Sequence, residues 1–466
     1  MTRHLIFAAA LLATSVPIAA QPTQTPPPPV IVDARVAALR DAALKDDYAW
    51  DITEGLTTEV GQRLAATPAE ARARDWAVRK LTAMGFKNVR VEPFTMPVWT
   101  RGAESAEILA PFPQKLVVGA LGNSASTGPQ GVTGELVAFN SVDELRAAPD
   151  SAVRGKIVFI DHRMSPTQDG SGYGQFGAPR RQGPTIASLK GAIAIVVRSI
   201  GTDHHRNPHT GGIGFANGAK PIPAGALTVP DAEQVQRILK RGKPVTMKLV
   251  LVSQSRPDGQ SGNVIAEVPG RDPSLPPILV GGHLDSWDFA TGAIDDASGV
   301  AIAAAAAKRI MEAGQPLRTI RVVWFGAEEP GLFGGREYMK KYAPQSHYAM
   351  LESDFGADRI WKVNSKLGAA RLDEARMIGA ALAPLGIVTG KFDEAEGSDI
   401  GPMIEAGGPA VGLSQDGTRY FDLHHTPDDT LDKVDPEQLR QNVAAWTATL
   451  AILSGGIEEP KRAKRR

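Results

Sequence analysis

The chain has 466 residues, and at about 150 residues per domain that length excludes a single small binding module. Its 51 lysines and arginines balance its 51 aspartates and glutamates, so no broad electric field favours nucleic acid or an anionic membrane as a partner. The absence of cysteine excludes disulfides, thiolate zinc sites and a cysteine nucleophile, so any metal must be held by histidine and carboxylate side chains.

The two ends of the chain predict segments outside the folded body. In residues 1–20, Arg3 and His4 precede an apolar run that is too short and too interrupted to span a membrane comfortably. We expect a cleaved signal peptide, a secreted or periplasmic protein and no stable membrane insertion; an uncleaved membrane anchor is the alternative. Residues 21–46 contain a proline tetrad and predict an extended linker that leads into the fold, and the basic residues 457–466 predict a solvated tail.

The rest of the chain divides into three segments by composition and patterning. Residues 47–111 show a helical pattern followed by two alternating strands, at 89–94 and 106–109, and predict the first part of a catalytic domain. Residues 112–257 carry short β runs interspersed with glycine and proline, and predict an inserted β-rich domain. In residues 258–456, strands, glycine-rich turns and helices alternate, which predicts an α/β sheet covered by helices as the second part of the catalytic domain.

The first candidate metal ligands lie at the start of that second part. His283 comes shortly after the apolar strand 278–280, at the carboxyl edge where open α/β sheets bind ligands. Asp295 and Asp296 precede an alanine-rich helix. We expect Asp296 to cap this helix, because a carboxylate accepts from its free amide groups, and we expect Asp295 to have another role.

Four further candidates lie downstream. Glu328 and Glu329 follow the apolar strand 322–325, where adjacent carboxylates repel each other unless a dication lies nearby. Asp354 follows the next apolar strand, and His425 lies in a loop far along the chain. Each residue alone is more often structural, yet two histidines and three carboxylates together suffice for two zinc ions if one carboxylate bridges them.

These motifs occur in the order of a known family. The chain resembles the co-catalytic di-zinc aminopeptidase and carboxypeptidase family of metallo-exopeptidases, and within it the carboxypeptidase Q (plasma glutamate carboxypeptidase) group. The resemblance extends over about residues 47–446 and is carried by the segments 282–288, 292–296, 327–329, 352–354, 397–399 and 424–425. It implies a zinc-exopeptidase-like mixed sheet covered by helices, an insert similar to the protease-associated domain, and a homodimer.

The resemblance also implies a role for each candidate ligand. It assigns His283 and Asp354 to one zinc ion, Glu329 and His425 to the other, and Asp295 to both, which makes two zinc ions per chain. A solvent molecule held between two zinc ions has a strongly depressed pKa, so hydroxide is expected near neutral pH. Manganese and cobalt are alternatives, because histidine and carboxylate suit several divalent ions.

Three residues beside the ligands are expected to assist the chemistry. Glu328, next to a ligand but not one itself, is placed to act as the general base, and the resemblance names the same residue. Asp285 is expected to accept the second ring N–H of His283, with a plain turn aspartate as the alternative. His424 occupies the position of an oxyanion-binding tyrosine of some relatives and is expected to donate to the oxyanion; a buried structural imidazole is the alternative.

The function that these expectations favour is a secreted di-zinc metallo-exopeptidase that hydrolyses dipeptides or short peptides with free termini. Ser398 and Asp399 fall on a family motif near the substrate pocket, and His209 of the insert is expected to meet a substrate terminus unless its loop is only a polar surface loop. The alternatives are an aminopeptidase that acts on longer peptides, a catalytically inactive binding or scaffold homologue, and single-zinc acyl-transfer or cyclase chemistry. A serine hydrolase is disfavoured, because no nucleophile-elbow motif follows a strand beside these residues.

Overall fold

The computed structural model describes residues 30–216, 218–342 and 347–458. The predicted signal peptide and the chain from residue 459 onwards lie outside these residues. Within the described ranges, no helix combines the length and the apolar character that crossing a membrane requires.

Sixteen strands and fourteen α-helices lie within the described residues. The strands are β1 Lys87–Ala110, β2 Gln114–Leu116, β3 Val118–Ala120, β4 Val132–Phe139, β5 Ile157–Ile160, β6 Ala194–Arg198, β7 Ala224–Leu227, β8 Thr246–Val268, β9 Ile278–His283, β10 Gln315–Pro316, β11 Ile320–Phe325, β12 Ala349–Glu352, β13 Ile360–Lys366, β14 Val388–Thr389, β15 Ala410–Gln415 and β16 Ile457–Glu458. The α-helices are α1 Ala34–Ala43, α2 Tyr48–Gly55, α3 Pro68–Ala83, α4 Val142–Ala147, α5 Asp150–Val153, α6 Ser171–Phe176, α7 Ala178–Leu189, α8 Val229–Leu239, α9 Ser298–Ala313, α10 Phe333–Tyr342, α11 Leu372–Leu382, α12 Gly401–Glu405, α13 Tyr420–Leu423 and α14 Pro436–Leu453. Short helical turns occupy Leu56–Val60, Ala293–Ala297, Ala369–Arg371, Ala383–Leu385 and Leu431–Lys433.

One mixed sheet forms the centre of the molecule, with strands in the order β14-β13-β15-β12-β9-β11-β8-β4-β5-β6-β7-β3. The strands β9, β11 and β12 are parallel, and their register pairs Phe325 with His283 and Glu352 with Gly281. Their carboxyl ends therefore meet at one edge of the sheet. Helix α9, almost wholly buried through its alanines, packs with α14 in the largest apolar core. The predicted α/β architecture of a mixed sheet covered by helices is confirmed.

Two long antiparallel strands, β1 and β8, connect the two halves of this sheet. The prediction of separate strands at 89–94 and 106–109 is wrong, because one strand of 24 residues runs through both. Register shifts between Met96 and Val98 and between Arg101 and Glu104 interrupt the apolar alternation. A bulge of this kind changes the buried face while the strand continues, so the pattern alone indicates two strands.

The segment 112–257 contains the parallel strands β4, β5, β6 and β7, with α4 to α8 distributed along it. It therefore carries more helix than the β-rich prediction states. Helix α7 explains the difference, since it contains Pro179 in its first turn and Pro184 inside, residues that favour a turn in a sequence pattern. Trp99 and Ile108 of β1 pack in the apolar core of this segment, so its limits stay a prediction.

The folded chain begins earlier than the linker prediction places it. Helix α1 lies inside the predicted linker 21–46, and its residues Val36, Arg40 and Ala43 are buried. Arg40 Nη1 donates to the carbonyl oxygen of Ala381 at 2.7 Å, which ties this helix to α11. Most of the apolar residues in α1 are alanines, so the helix has no pronounced apolar stripe for the sequence to reveal.

Candidate metal centre and catalytic cavity

The predicted metal ligands meet at the carboxyl edge of the central parallel strands. His283 is the last residue of β9, Glu329 comes shortly after β11, and Asp354 follows β12 by two residues. Asp295 lies in the turn Ala293–Ala297 that leads into α9, and His425 follows α13. The parallel register of the strands therefore places three ligands, and two connecting segments supply the others.

Asp295 lies between the two histidines and presents one carboxylate oxygen to each. His283 Nε2 is 3.0 Å from Asp295 Oδ1 and 3.3 Å from Asp354 Oδ1. His425 Nε2 is 3.0 Å from Asp295 Oδ2 and 2.9 Å from Glu329 Oε2. The five side chains form two groups of three that share Asp295, which is the grouping that the resemblance implies.

Buried carboxyl groups dominate the electrostatics of this cluster. Burial, reinforced by Asp295, raises the pKa of Glu329 to about 7. Burial together with Asp354 raises the pKa of Glu328 well above its usual range. Burial opposes a charge on His283, yet Asp354, Asp285 and Asp295 together raise the pKa of its imidazole well above the ordinary value. A dication would relieve this repulsion among the buried carboxylates. The nitrogen and oxygen atoms of the cluster are also donors that zinc binds.

The cluster opens into a cavity of about 660 Å³. Glu328, Asp354 and Ser398 line it from the segment 258–456, and Tyr173 and Arg180 line it from the segment 112–257. A cavity of this size is in the range of pockets that hold small ligands. A second cavity of about 290 Å³ lies beside it, since Asp354 and Ser398 line both.

Asp285 contacts His283 through its main-chain oxygen, whereas a contact through its carboxylate was expected. The nearest acceptor of His283 Nδ1 is the main-chain oxygen of Asp285, at 3.0 Å, whereas its carboxylate lies 3.7 Å away. The carboxylate accepts instead from the backbone amides of Glu328, at 3.0 Å, and Glu329, at 3.3 Å. Asp285 thus holds both glutamates in place, while its carbonyl group orients the histidine.

Asp296 caps α9, as its position before the helix predicts. Its Oδ1 accepts from Gly299 N at 2.9 Å, and its Oδ2 accepts from His283 N at 3.0 Å. One buried carboxylate therefore joins the end of β9 to the first turn of α9.

His424 contacts the metal centre through one ring nitrogen and His209 through the other. Its Nε2 lies 3.3 Å from Asp295 Oδ2, and its ring stacks on His425 with centroids 3.5 Å apart. His424 Nδ1 is 3.0 Å from His209 Nε2. Burial, followed by the positive charge of neighbouring histidines, lowers the pKa of His424 and of His209 well below the usual value, which favours neutral rings.

The three residues expected to contact substrate lie in different environments. Ser398 lines the cavity, and its hydroxyl donates to Asp354 Oδ2. Asp399 is fully buried and accepts from Gly335 N at 2.9 Å, so its position differs from the expectation and supports a structural role. His209 is also buried and meets His424 rather than the cavity.

Arg180 is a cavity residue that the sequence reasoning missed. Only 6% of it is exposed, and it makes no ion pair with a carboxylate among the described residues. Its Nη1 donates to Thr210 O and its Nη2 to Tyr173 Oη, each at 2.5 Å, whereas its Nε has no hydrogen-bond partner in the described chain. No motif marks this arginine, because its partners come from separate segments of the insert.

Comparisons with known proteins identify relatives of this chain. The sequence model of peptidase family M28 matches residues 263–450. Carboxypeptidase Q from Bos taurus is 35% identical to this chain over 412 residues, which cover 87% of this chain and 84% of the relative. Carboxypeptidase Q from Homo sapiens is 34% identical over 410 residues, with coverage of 87% and 84%.

Solved structures show the same similarity. The crystal structure of a peptidase M28 precursor from Shewanella amazonensis matches with a TM-score of 0.88 and 43% identity, and covers 93% of this chain and 98% of that chain. A zinc aminopeptidase from Bacillus subtilis has a TM-score of 0.63 at 20% identity, with coverage of 89% and 98%, and shows the shared fold.

Proposed function

Because the chain belongs to peptidase family M28 and is a metallo-exopeptidase, we propose that it binds two zinc ions and hydrolyses dipeptides or short peptides with free termini. The observation that carries this proposal is the position of Asp295, which faces His283 with one carboxylate oxygen and His425 with the other. A carboxylate held between two imidazole groups is suited to bridge two metal ions.

The five clustered side chains would hold the metal. His283 and Asp354 would bind one zinc ion, Glu329 and His425 the other, and Asp295 both. When bound, the zinc ions lower the pKa of a water molecule and polarise the carbonyl group of the scissile bond.

The residues around the ligands then move the proton and stabilise charge. Glu328 Oε accepts a proton from the attacking water and returns it to the amine of the leaving group. Asp285 holds the main chain of Glu328 during this step through the hydrogen bond at 3.0 Å. His424 Nε2 donates to the oxyanion of the tetrahedral intermediate, for which its neutral ring and its position at the metal centre are suited.

Arg180 supports recognition of a free carboxyl terminus. A buried guanidinium without a carboxylate partner is costly, and a substrate carboxylate would provide the missing charge. The guanidinium and the His425 ring both contact the carbonyl oxygen of Thr210, at 2.5 and 3.4 Å, so the cation lies beside the metal centre. A short substrate can therefore contact the Arg180 guanidinium and the metal centre at the same time.

The experiment compares one dipeptide and one longer peptide with free, N-acetylated or C-amidated ends, by mass spectrometry, with protein stripped of metal and then restored with zinc. We expect zinc to restore cleavage of the dipeptide only when both ends are free. The Arg180→Ala variant is expected to lose the preference for a free carboxylate through a higher KM. Arg181→Ala, whose side chain is exposed beside it, is the matched control and should behave as wild type.

Other outcomes would favour the alternative functions. Tolerance of amidation but not of acetylation, with cleavage of the longer peptide, would assign an aminopeptidase. If zinc restores cleavage of none of the peptides, a binding or scaffold homologue and single-zinc acyl-transfer or cyclase chemistry remain. Secretion or a periplasmic location is proposed from residues 1–20 alone, and the homodimer stays a prediction from the resemblance.

A further inference from the structure

The segment between His283 and Asp295 must turn back on itself to bring the two ligands together. It leaves β9 at His283 and reaches the turn Ala293–Ala297 ten residues later. A buried arginine and a buried aspartate from distant parts of the chain hold the main chain of this segment.

Arg63, which precedes α3, holds the carbonyl groups of the segment. The side chain is fully buried, and its Nε donates to Leu284 O at 2.5 Å. Its Nη1 donates to Thr291 O and its Nη2 to Gly292 O, the latter at 2.9 Å. Among the described residues the guanidinium makes no ion pair, so main-chain oxygens take its hydrogen bonds.

Asp429, which follows the metal-centre histidines in the chain, holds the other side of the segment. It is 4% exposed, and its Oδ1 accepts from Ile294 N at 2.7 Å. Its main-chain oxygen accepts from Thr291 Oγ1 at 3.4 Å. Arg63 therefore holds carbonyl groups and Asp429 holds the amide immediately before Asp295.

Gly292 permits this arrangement. Its φ of +59° is a left-handed conformation, and a Cβ atom there would lie 3.0 Å from Arg63 Nη1 and would also meet Ser286. The guanidinium can reach the main chain only because no side chain intervenes at this residue.

We propose that Arg63 and Asp429 are positioning residues of the metal centre, which hold Thr291, Gly292 and Ile294 so that Asp295 is presented to His283 and His425 together. This inference rests on the proposed function, since it assumes that Asp295 binds both metal ions. Groups that orient ligands typically change metal affinity by about 10- to 100-fold when they are removed. Loss of either residue releases the bridging carboxylate from its position, so both metal ions are affected.

The test measures zinc binding to full-length apoprotein by competition with a chromophoric chelator, without any substrate. The variants are Arg63→Met, Arg63→Lys, Asp429→Ala and Asp429→Asn. We expect Arg63→Met and Asp429→Ala to lose about 10- to 100-fold in zinc affinity. Asp429→Asn keeps an oxygen that can accept from Ile294 N and should remain within about 3-fold of wild type, whereas Arg63→Lys cannot reach all the carbonyl groups and should fall between.

Two controls separate positioning from general damage. Arg198→Met removes another buried arginine, which pairs with Asp161 at 2.8 Å in the insert, and should lower thermal stability without changing zinc affinity. The double variant Arg63→Met/Asp429→Ala should lose less than the product of the single losses, because both residues act on one segment. Circular dichroism of each apoprotein establishes that it is folded.

The outcomes for the two proposals are distinguishable. If wild-type protein fails to bind two zinc ions, the proposed function is wrong. If wild type binds two and folded Arg63→Met and Asp429→Ala bind them as tightly as wild type, the positioning proposal is wrong and the proposed function stands. Should Arg63→Met not fold, the comparison of Asp429→Ala with Asp429→Asn decides, since equal affinities in that pair overturn the proposal.

Discussion

Glu328 and Glu329 are adjacent residues whose side chains meet different partners. Glu329 Oε2 lies 2.9 Å from His425 Nε2, and its Oε1 accepts from Trp287 N at 3.2 Å. Both side chains line the cavity, but of the two only Glu329 contacts a histidine of the metal centre. Mutation can therefore separate proton transfer from metal binding at this pair.

Glu328→Gln is expected to lower kcat by about 10²- to 10⁴-fold, because a general base is removed while the metal ligands are kept. Zinc content should remain that of wild type. Steady-state kinetics on a free dipeptide and metal analysis of the same sample check both statements. The comparison variant Glu329→Gln should lose zinc, and a Glu328→Gln enzyme with full kcat would rule out this base.

His424→Ala is expected to lower kcat by about 10²- to 10³-fold, with little change in KM, because an oxyanion donor acts only in the transition state. The matched control is His205→Ala, whose side chain is 70% exposed in the insert. Kinetics on the same dipeptide measure both variants. Retention of nearly full kcat by His424→Ala would assign its ring a structural role.

Strand ends are the reason that much of this site could be predicted from the sequence. His283, Glu328 and Asp354 each follow an apolar strand, so pattern and residue type coincide. Arg63 and Arg180 could not be predicted, since their hydrogen bonds go mostly to main-chain oxygens of distant segments. A carbonyl oxygen is present at every residue and leaves no pattern in the sequence.

At the scale of elements, the contact between α10 and the entry to β12 contains a buried histidine. His347 Nε2 lies 3.0 Å from the hydroxyl of Tyr338, which itself is 3.4 Å from Arg321 Nη1. Burial, followed by the positive charge of Arg321, lowers the pKa of His347 to about 4. The folded chain therefore keeps this ring neutral where an unfolded chain would protonate it.

The pH dependence of stability follows from that difference. The unfolded chain binds the proton first, so the free energy of unfolding should decrease as pH falls from about 6.5 to about 4, by roughly 3 kcal/mol at most. Above about pH 6.5 the contribution of His347 is fully present. Denaturant unfolding of zinc-free wild type and His347→Gln at several pH values measures it. The slope should be smaller in His347→Gln and unchanged in His205→Gln; equal slopes in wild type and His347→Gln would contradict the prediction.

Elements with one consistent periodicity were predicted well, and those with an interrupted one were not. Strand β11 lies close to the predicted strand 322–325, and helix α9 is the predicted alanine-rich helix after Asp296, because the apolar residues of both are nearly continuous. Strand β1 was divided in two by its register shifts, and the first part of α7 was hidden by Pro179 and Pro184. In both cases, tertiary pairing or packing stabilises an element whose local sequence pattern is interrupted.

At the scale of the whole molecule, metal removal is expected to destabilise the fold. Zinc that binds only the folded chain adds free energy by mass action, about 2.7 kcal/mol for one site at a free concentration 100 times its Kd. Chelation should lower Tm and zinc should restore it, as differential scanning calorimetry would measure. The Asp295→Asn variant should respond less, and a wild-type Tm that is independent of zinc would exclude tight binding.

The segment 112–257, predicted as an insert, contributes residues to the site that the segment 258–456 forms. His209 and Arg180 belong to the insert, yet one contacts His424 and the other lines the cavity with Glu328. Its limits are a prediction from composition and patterning, whereas its orientation beside the site comes from the structure. Contacts between segments far apart in the chain decide that orientation, and no local pattern records them.

The long pair of β1 and β8 has a consequence for the way substrate is bound. Backbone pairing runs from Lys87 opposite Glu267 to Ala110 opposite Thr246, so the sheet itself, rather than a loose linker, carries the chain into the insert. Moving the segment 112–257 away from the cavity would require bending the hydrogen-bonded pair of β1 and β8. In the proposed function, Arg180 would thus be preorganised: the entropy of ordering its side chain is lost when the protein folds, and little remains to be lost when a peptide binds.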